Sequence, residues 1–199
     1  MAPNGMAGDH RGRASGSRPG NEGRHEMVAR EPATELCAPF SSPGAEAVPW
    51  GKALQVLSTA EVFWLSTVRP ESRPHVTPLL GAWVDDSICF CTGEAERKAK
   101  NLAANSACTL TTGRNDLNGL DVVIEGRAVA TRDELELQSI AVAFEQKYRS
   151  HILSPEGTWG GLGEHIRGGS VLVYRVIPST AFGFKKGGAY SQTRWTFVP

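Results

Sequence analysis

The connections between the β-rich segments of this chain are too short to cross over a sheet, and this constrains its fold more than any other feature. Residues 62–68 read VFWLSTV, residues 75–84 read HVTPLLGAWV and residues 87–92 read SICFCT. A short turn with two prolines separates the first two segments, and Asp85-Asp86 separates the second two. Parallel neighbours need a crossover of about a dozen residues or more. The three segments are therefore predicted to form an antiparallel meander.

Further β-rich segments follow along the chain, together with three segments of helical periodicity. Most connections stay short, which disfavours a parallel βαβ sheet and favours a small closed or half-open barrel with three helices outside it. The fold class expected is mainly β (β+α). The longest helix is predicted to carry a broad apolar stripe from Leu135 to Phe144. Predicted strands also cover 106–112, 120–130, 170–177, 180–185 and 190–197, predicted helices cover 50–57, 94–104 and 133–148, and Gly and polar residues dominate 150–169.

Residues 1–46 differ in composition from the rest of the chain. They are rich in Gly, Pro, Ser, Arg and Glu and almost lack apolar periodicity. Such a segment buries too little apolar surface to offset its ordering entropy. We therefore expect a disordered N-terminal tail over 1–46, order from about Val48 onwards, and one domain over 47–199.

Charge balance restricts the partners that the chain can have. Lys plus Arg number 21 and Asp plus Glu number 21, so the net charge is zero. This gives no electrostatic reason to bind nucleic acid or an anionic membrane. No run approaches the roughly 20 apolar residues of a membrane span, and the N-terminus lacks a secretory apolar region. A cytoplasmic protein with a small-molecule partner is expected.

Four cysteines occur, and two of them, Cys89 and Cys91, would share one face of a strand. A zinc site would need further Cys or His ligands at suitable spacing, and the sequence offers none there. Secreted disulfide frameworks are shorter and denser in cysteine. The expectation is therefore no metal, with thiols packed in the core.

The segment TGEAERKAKNL at 92–102 is the best candidate for a binding site. A strand ends, a Thr-Gly turn follows with Thr92 as a possible N-cap, and a basic helix begins. Helix N-termini attract anions, and Arg97, Lys98 and Asn101 are spaced to share a face. The alternative is an ordinary solvated helix with Glu–Lys pairs. The pattern therefore indicates a phosphate site or a plain surface helix.

The order of several segments resembles the flavin-binding split-barrel superfamily, in particular the pyridoxamine phosphate oxidases. The similarity joins SICFC and TGEAERKAKNL to RPHVTPLLGAW, NLAANSACTLTT, VVIEGRAV and SQTRWTF, and it spans about 48–199. It implies a split antiparallel β-barrel in which Thr92, Arg97 and Lys98 hold the phosphate of flavin mononucleotide (FMN). It also implies that residues 76–79 run beside the isoalloxazine ring.

Departures from the family pattern point away from vitamin B6 oxidation. Thr77 and Ala82 stand where the family has Arg and Lys, Asp121 replaces a Gln, and 193–195 lack the Arg-x-His signature. The RPHVTP strand and the SQTRW ending look more like the actinobacterial branch that uses the deazaflavin coenzyme F420. The resemblance therefore implies F420 as cofactor, with FMN as the alternative.

Other polar and aromatic residues allow two interpretations each. Ser66 and Thr67 could bond a ribityl or phosphate oxygen, or simply reflect β-propensity. Thr77 could donate to a ring carbonyl, whereas Pro78 indicates a bulge or an edge strand. His75 beside the ring strand could be a catalytic acid, but the sequence names no catalytic residue. The residues expected to contact the cofactor are Ser66, Thr67, Val76, Thr77, Pro78, Leu79, Thr92, Arg97, Lys98, Asn101, Arg194 and Trp195.

The C-terminal residues carry the same ambiguity. Trp195 could stack on a ring or pack in the core, and Arg194 could bind a phosphate, a polyglutamate tail or a surface carboxylate. The resemblance implies a homodimer with a cofactor cleft at its interface and hydride transfer from reduced deazaflavin to an activated C=C or C=N bond. The alternatives are an FMN-dependent oxidase or reductase, a carrier without turnover, and a haem-binding split barrel.

Overall fold

Antiparallel strands form most of the structure, a computed structural model that describes residues 31–113, 115–154 and 156–198. Five α-helices and one 3-10 helix (Ala38–Phe40) lie among nine strands. The helices are α1 (Trp50–Thr59), α2 (Arg97–Ala104), α3 (Glu134–Lys147), α4 (Arg149–Ile152) and α5 (Leu162–Arg167). The strands are β1 (Ala33–Leu36), β2 (Phe63–Val68), β3 (Pro74–Leu79), β4 (Ala82–Val84), β5 (Ser87–Thr92), β6 (Ala107–Thr111), β7 (Gly119–Thr131), β8 (Leu172–Lys186) and β9 (Ser191–Thr196).

The sheet runs in the order β1-β9-β8-β7-β6-β2-β3, and β5 joins it by pairing with β8 and β4. β8 is long enough to pair with β5 over its first half and with β9 over its second half. β7 follows both halves, with a register shift between Glu125 and Gly126. A side chain at Gly126 would meet the backbone oxygen of Ile177 at 2.2 Å, so the bulge requires glycine. The sheet bends there, and the fold is the expected β+α split barrel.

Three elements differ from the sequence-based prediction. The predicted strand over 75–84 is broken into β3 and β4 near Gly81, where an added Cβ would lie 3.0 Å from the Phe63 ring. The two strands expected at 170–177 and 180–185 are one continuous strand, because Pro178 sits at the bulge instead of a turn. The segment 150–169 contains two short helices, α4 and α5. Gly and Pro in this sequence therefore mark bends and bulges within the sheet as well as turns between strands.

The described part of the expected N-terminal tail is ordered. β1 pairs antiparallel with β9, and the Cys37 N–H donates to the Gln192 carbonyl at 2.8 Å. The Val48 N–H donates to the Thr193 hydroxyl at 2.8 Å. Edge pairing supplies the backbone partners that the segment lacks on its own, so the expectation of disorder is wrong for residues 33–46. Residues 1–30 of that expected tail lie outside the described residues.

Two buried clusters hold the fold together. The first fills the barrel and includes Trp50, Phe63, Phe90 and Trp195. It forms because β2 alternates buried and exposed residues along its length. The second lies under α3 and includes Ile140, Phe144 and Cys89 from β5.

Leu135 does not belong to the α3 stripe, since it is 80% exposed. It lies in the first turn, where the Asp133 carboxylate caps the helix by accepting the Leu135 and Glu136 N–H groups, each at 3.0 Å. The buried face of α3 begins at Leu137. Capping therefore determines the position of Leu135, and the stripe is shorter than predicted.

The thiols of Cys37, Cys89, Cys91 and Cys108 are free. Burial raises the pKa of Cys89, Cys91 and Cys108 to about 11. Within the described residues, no three His, Cys, Asp or Glu side chains gather in a way that could hold a metal ion. Nor, in those same residues, is any helix long and apolar enough to span a bilayer.

Lys147 joins the end of α3 to the barrel through hydrogen bonds. Its Nζ donates to the carbonyls of Gly81 (2.8 Å) and Leu57 (3.1 Å) and lies 4.7 Å from the centre of the Phe63 ring. The next residue, Tyr148, accepts the Gly81 N–H at 3.0 Å. Burial lowers the pKa of Lys147 to about 8, so the protonated form is held at a cost.

We expect the stability of the wild type, relative to Lys147→Met, to rise as the pH increases from about 8 to 10.5. The folded state has the lowered pKa and the unfolded chain keeps the ordinary 10.5, so between these values the unfolded state binds more protons. The neutral amine can still donate to both carbonyls. Denaturation midpoints at pH 7, 8, 9 and 10 measure the difference, with the exposed Lys52→Met as control. If the difference in midpoint between the wild type and Lys147→Met did not change with pH, the lowered pKa of Lys147 would be contradicted.

Candidate functional site

A cleft of about 530 Å³ opens where β5 ends, beside β3 and the start of α2. Its volume lies within the roughly 300–1,000 Å³ typical of small-molecule sites. Most of its wall is apolar, and the polar groups are concentrated at the β5–α2 junction. The lining residues are Val62, Pro78, Leu79, Leu80, Cys91, Thr92, Gly93, Glu96, Lys98, Trp159, Leu162 and Val171.

The β5–α2 junction begins at Thr92, and the first helical residue is Arg97. The sequence predicted helix from residue 94 with Thr92 as the N-cap, whereas the structure has Glu96 in the capping position. The reason is a tight turn, in which the Glu96 N–H donates to the Gly93 carbonyl at 3.1 Å. The Gly93 N–H in turn donates to Glu96 Oε1 at 2.9 Å. Glu96 therefore closes a turn that precedes the helix, and α2 begins at Arg97, three residues later than predicted.

The basic pair at the start of α2 is divided between two environments. Lys98 lines the cleft and is only 8% exposed, and its ammonium pairs with the Glu96 carboxylate. Arg97 is exposed and is not part of the cleft wall. Neighbours on a helix point about 100° apart, so both cannot face one groove. Lys98 is thus the basic group that the structure places at the cleft.

Asn101 lies one turn further along α2 and is completely buried. Its Nδ2 donates to the hydroxyl of Thr67 on β2 at 2.9 Å, whereas its Oδ1 has no hydrogen-bond partner in the described structure. Thr67 Oγ1 in turn lies 3.4 Å from the His75 carbonyl oxygen. Neither Asn101 nor Thr67 lines the cleft. These two predicted ligands therefore hold α2 against the sheet and position the junction.

Arg69 and Arg97 add positive charge near the outer side of this junction, where Arg69 also pairs with Glu71 at 3.8 Å. The pKa of His75 is lowered, first by burial and then by the charges of Arg69, Lys98 and Arg97. Arg69 belongs to the β2–β3 hairpin, where its N–H donates to the Arg73 carbonyl at 2.9 Å. Arg69 was not among the predicted cofactor contacts, although two arginines flanking one tight turn were a visible signal. The field here favours an anion.

The predicted ring strand contributes only its end to the cleft. Pro78 and Leu79 line the wall, but Val76 and Thr77 do not. Val76 points to the outer face of the sheet with Ser66 opposite it on β2, and it is 53% exposed. β3 pairs only with β2 among the described strands, so its second edge is open, as Pro78 indicated.

The two C-terminal candidates do not reach this cleft within one chain. Trp195 is fully buried, and its Nε1–H donates to the Val48 carbonyl at 3.1 Å, so the expectation that it stacks on a ring is not met here. Arg194 lies on the outer face of β9, with its guanidinium 5.5 Å from the Phe182 ring centre. Four strands separate β9 from β3. Arg194 could reach a cofactor in this cleft only from another subunit.

Trp159 is the aromatic residue that the structure brings to the cleft. Its N–H donates to the His151 carbonyl at 3.2 Å, and the Leu162 N–H donates to the Trp159 carbonyl at 3.1 Å. The segment 150–169 was one of two expected to cover the cofactor ring, but Trp159 was not among the predicted contacts. The signal was a tryptophan within the glycine-rich stretch TWGGLG.

The structure is a split antiparallel barrel with a basic strand-to-helix junction beside an apolar cleft. The family model described as pyridoxamine 5'-phosphate oxidase matches residues 50–174. The chain therefore belongs to the pyridoxamine 5'-phosphate oxidase family, and the resemblance inferred from the sequence is confirmed.

Solved structures share the fold at low identity. A conserved hypothetical protein of Mycobacterium tuberculosis has a TM-score of 0.58 at 16% identity, covering 72% of this chain and 89% of its own. A heme binding protein of Mycobacterium smegmatis has a TM-score of 0.57 at 12% identity (74% and 59%). The heme storage protein HutZ of Vibrio cholerae has 0.52 at 18% (69% and 94%). Comparison with curated proteins gives no match.

Proposed function

We propose that this chain is an oxidoreductase that binds an anionic deazaflavin, coenzyme F420, in the cleft beside the β5–α2 junction. In this proposal it transfers hydride to an activated C=C or C=N bond of a small organic substrate. The observation that supports it most directly is the position of Lys98, a buried cation at the polar end of an otherwise apolar cleft. A buried ammonium needs an anionic partner; Glu96 is that partner in this structure, and a phosphate tail would replace it when the cofactor binds.

The junction has the donor set that a phosphate requires. The Lys98 ammonium, the Thr92 hydroxyl and the Gly93 N–H all lie at the same end of the cleft. Each can donate a hydrogen bond to a phosphate oxygen. Arg69 and Arg97 lie close enough to His75 to lower its pKa, and their positive charges strengthen the attraction from outside. The residues present therefore fit the anionic end of a flavin or deazaflavin.

The remainder of the cleft suits a flat ring system. Val62, Pro78, Leu79 and Leu80 form an apolar wall, and Trp159 adds an aromatic ring to the lining. The open edge of β3 offers backbone groups to the ring's polar atoms, except at Pro78, which has no N–H. These residues orient the ring and exclude water from one side of it.

When bound, reduced F420 supplies hydride to the substrate, and holding donor and acceptor about 3–3.5 Å apart accounts for much of the acceleration. The titratable groups on the cleft wall are Glu96, Lys98 and Cys91. Glu96 has a lowered pKa and is ionised near neutral pH, Lys98 is the group assigned to the phosphate, and burial raises the pKa of Cys91 to about 11. Since none of these is free to act as an acid near neutral pH, the proton is assigned to water.

The outer face of the sheet supports a two-fold dimer as part of this proposal. Trp64 and Val68 on β2 and Val76 on β3 are all more than a third exposed on this face. Contiguous apolar surface of this kind is typical of an interface. Arg194 lies on the same face at the far side of the sheet. An isologous dimer would therefore bring the partner's Arg194 towards this cleft.

Two alternatives share the same site. An FMN-dependent oxidase or reductase would use the same phosphate anchor, and a carrier would bind the cofactor without turnover. Structures of the same fold include heme-binding proteins. None of the described histidines lines this cleft, so axial ligation of haem is less well supported than binding of a flavin-type ring.

The proposal is tested by titrating the purified full-length protein with F420, FMN and hemin. We expect saturable binding of F420, weaker binding of FMN, and a sedimenting species of twice the chain mass. Reduced F420 should then be oxidised on adding members of a panel of enones and quinones.

Each outcome separates one alternative. Tight FMN binding without F420 binding would replace the deazaflavin by a flavin. Saturable F420 binding without oxidation across the panel would indicate a carrier. Binding of hemin alone would overturn the cofactor assignment. If the protein were a monomer and still bound F420 at full affinity, the partner's Arg194 would have no role in the site.

A further inference from the structure

We infer that the Glu96 carboxylate is an internal competitor that occupies the position of the ligand's anionic group and sets the affinity of the site for phosphate-bearing cofactors. This inference rests on the proposed function, since it concerns the same junction. It goes beyond it by naming a residue that opposes binding and the chemistry that it opposes.

The contacts of Glu96 carry the argument. Its Oε1 accepts the Gly93 N–H at 2.9 Å, and its Oε2 pairs with the Lys98 ammonium. Burial alone would raise the pKa of Glu96, but hydrogen bonds from Lys98, the Gly93 N–H and the Thr92 hydroxyl reverse the effect and lower it. The carboxylate is thus held by two of the donors that would hold a phosphate, the Gly93 N–H and the Lys98 ammonium.

These contacts cannot serve two anions at once. A single Gly93 N–H makes one good hydrogen bond, and two anions within a few ångströms of Lys98 repel each other. A bound phosphate must therefore displace Glu96. The side chain of Glu96 is 51% exposed, whereas that of Lys98 is 9% exposed, so Glu96 is the partner that can rotate into solvent.

The arrangement has a functional consequence. Without ligand, Glu96 neutralises a buried ammonium that would otherwise lack a partner. When the ligand binds, the Lys98 ammonium exchanges the Glu96 carboxylate for the phosphate. The net gain in binding free energy is the difference between these two ion pairs. Ligands that carry a phosphate gain from the exchange, and ring compounds without phosphate gain nothing. Glu96 therefore determines specificity for the charged tail and has no influence on the ring.

The test compares Glu96→Gln with the wild type and with Glu94→Gln. Gln keeps an oxygen for the Gly93 N–H and removes the charge, and exposed Glu94, two residues earlier, gives a control with the same change in net charge. FMN, riboflavin and inorganic phosphate are the probes. We expect Glu96→Gln to bind FMN about tenfold more tightly, because a charge-assisted bond of Lys98 no longer has an internal acceptor. Riboflavin, which lacks the phosphate, should bind both proteins equally.

Inorganic phosphate gives a readout that does not depend on flavin binding. Phosphate should raise the melting temperature of Glu96→Gln more than that of the wild type or Glu94→Gln, because it restores a partner to Lys98. Equal phosphate effects in all three proteins, or an equal gain in Glu94→Gln, would overturn the inference. FMN binding with no gain in Glu96→Gln would overturn it and leave the proposed function standing. A stronger phosphate effect in Glu96→Gln without flavin or deazaflavin binding would support the inference and overturn the proposed function.

Discussion

Replacing Trp195 by alanine is expected to destabilise the domain by about 3–5 kcal/mol, the range for deleting a large buried aromatic side chain. Trp195 is fully buried and meets Trp50 edge to face at a centroid distance of 5.3 Å. Its ring lies directly over Gly183, where a Cβ would come within 2.3 Å of the indole. The Val48 carbonyl would also lose the indole N–H that now donates to it. Chemical denaturation measures the loss.

Two control variants distinguish a core role from a ligand role. Trp195→Phe should cost less than the alanine variant, since most of the ring volume is kept. Trp159→Ala should leave the denaturation midpoint close to that of the wild type, because Trp159 is 42% exposed in the cleft wall. If Trp195→Ala unfolded at the wild-type midpoint and lost only cofactor affinity, the packing assignment would be wrong and ring stacking would replace it.

Lys98→Met is expected to weaken binding of F420 or FMN by about 1.5–3 kcal/mol, which is roughly 10- to 150-fold in Kd. The variant removes the buried cation at the end of the cleft and keeps most of the aliphatic stem of the side chain. Equilibrium titration followed by fluorescence measures the change. Riboflavin affinity should hardly change, since the lost bond is to the phosphate.

The same helix provides the matched controls for this prediction. Lys100→Met removes an exposed cation two residues away and should leave the affinity within about twofold. Arg97→Met should have an intermediate effect, because Arg97 is exposed and acts through the long-range field alone. Equal losses in Lys98→Met and Lys100→Met would show that total charge, and not the cleft geometry, governs binding.

For α2, the local sequence pattern predicted some features of the structure and missed others. Residue types and spacing pointed to the segment 92–102, and Thr92 and Lys98 do line the cleft. The pattern could not show that Glu96 folds back on Gly93 and starts the helix later. Nor could it show which face of α2 packs on the sheet: Asn101 is buried against Thr67, and Arg97 is exposed.

The sequence by itself determined the antiparallel barrel, most helix positions and the junction after β5, because short connections and side-chain periodicity act over a few residues and leave few alternatives. The family followed from the resemblance of several segments and not from periodicity. Only the tertiary structure decided that β1 pairs with β9, that Trp195 belongs to the core and that Trp159 faces the cleft. Each of these depends on contacts between residues far apart in the chain. Burial and pairing at long range are set by how the whole barrel closes, which no local pattern encodes.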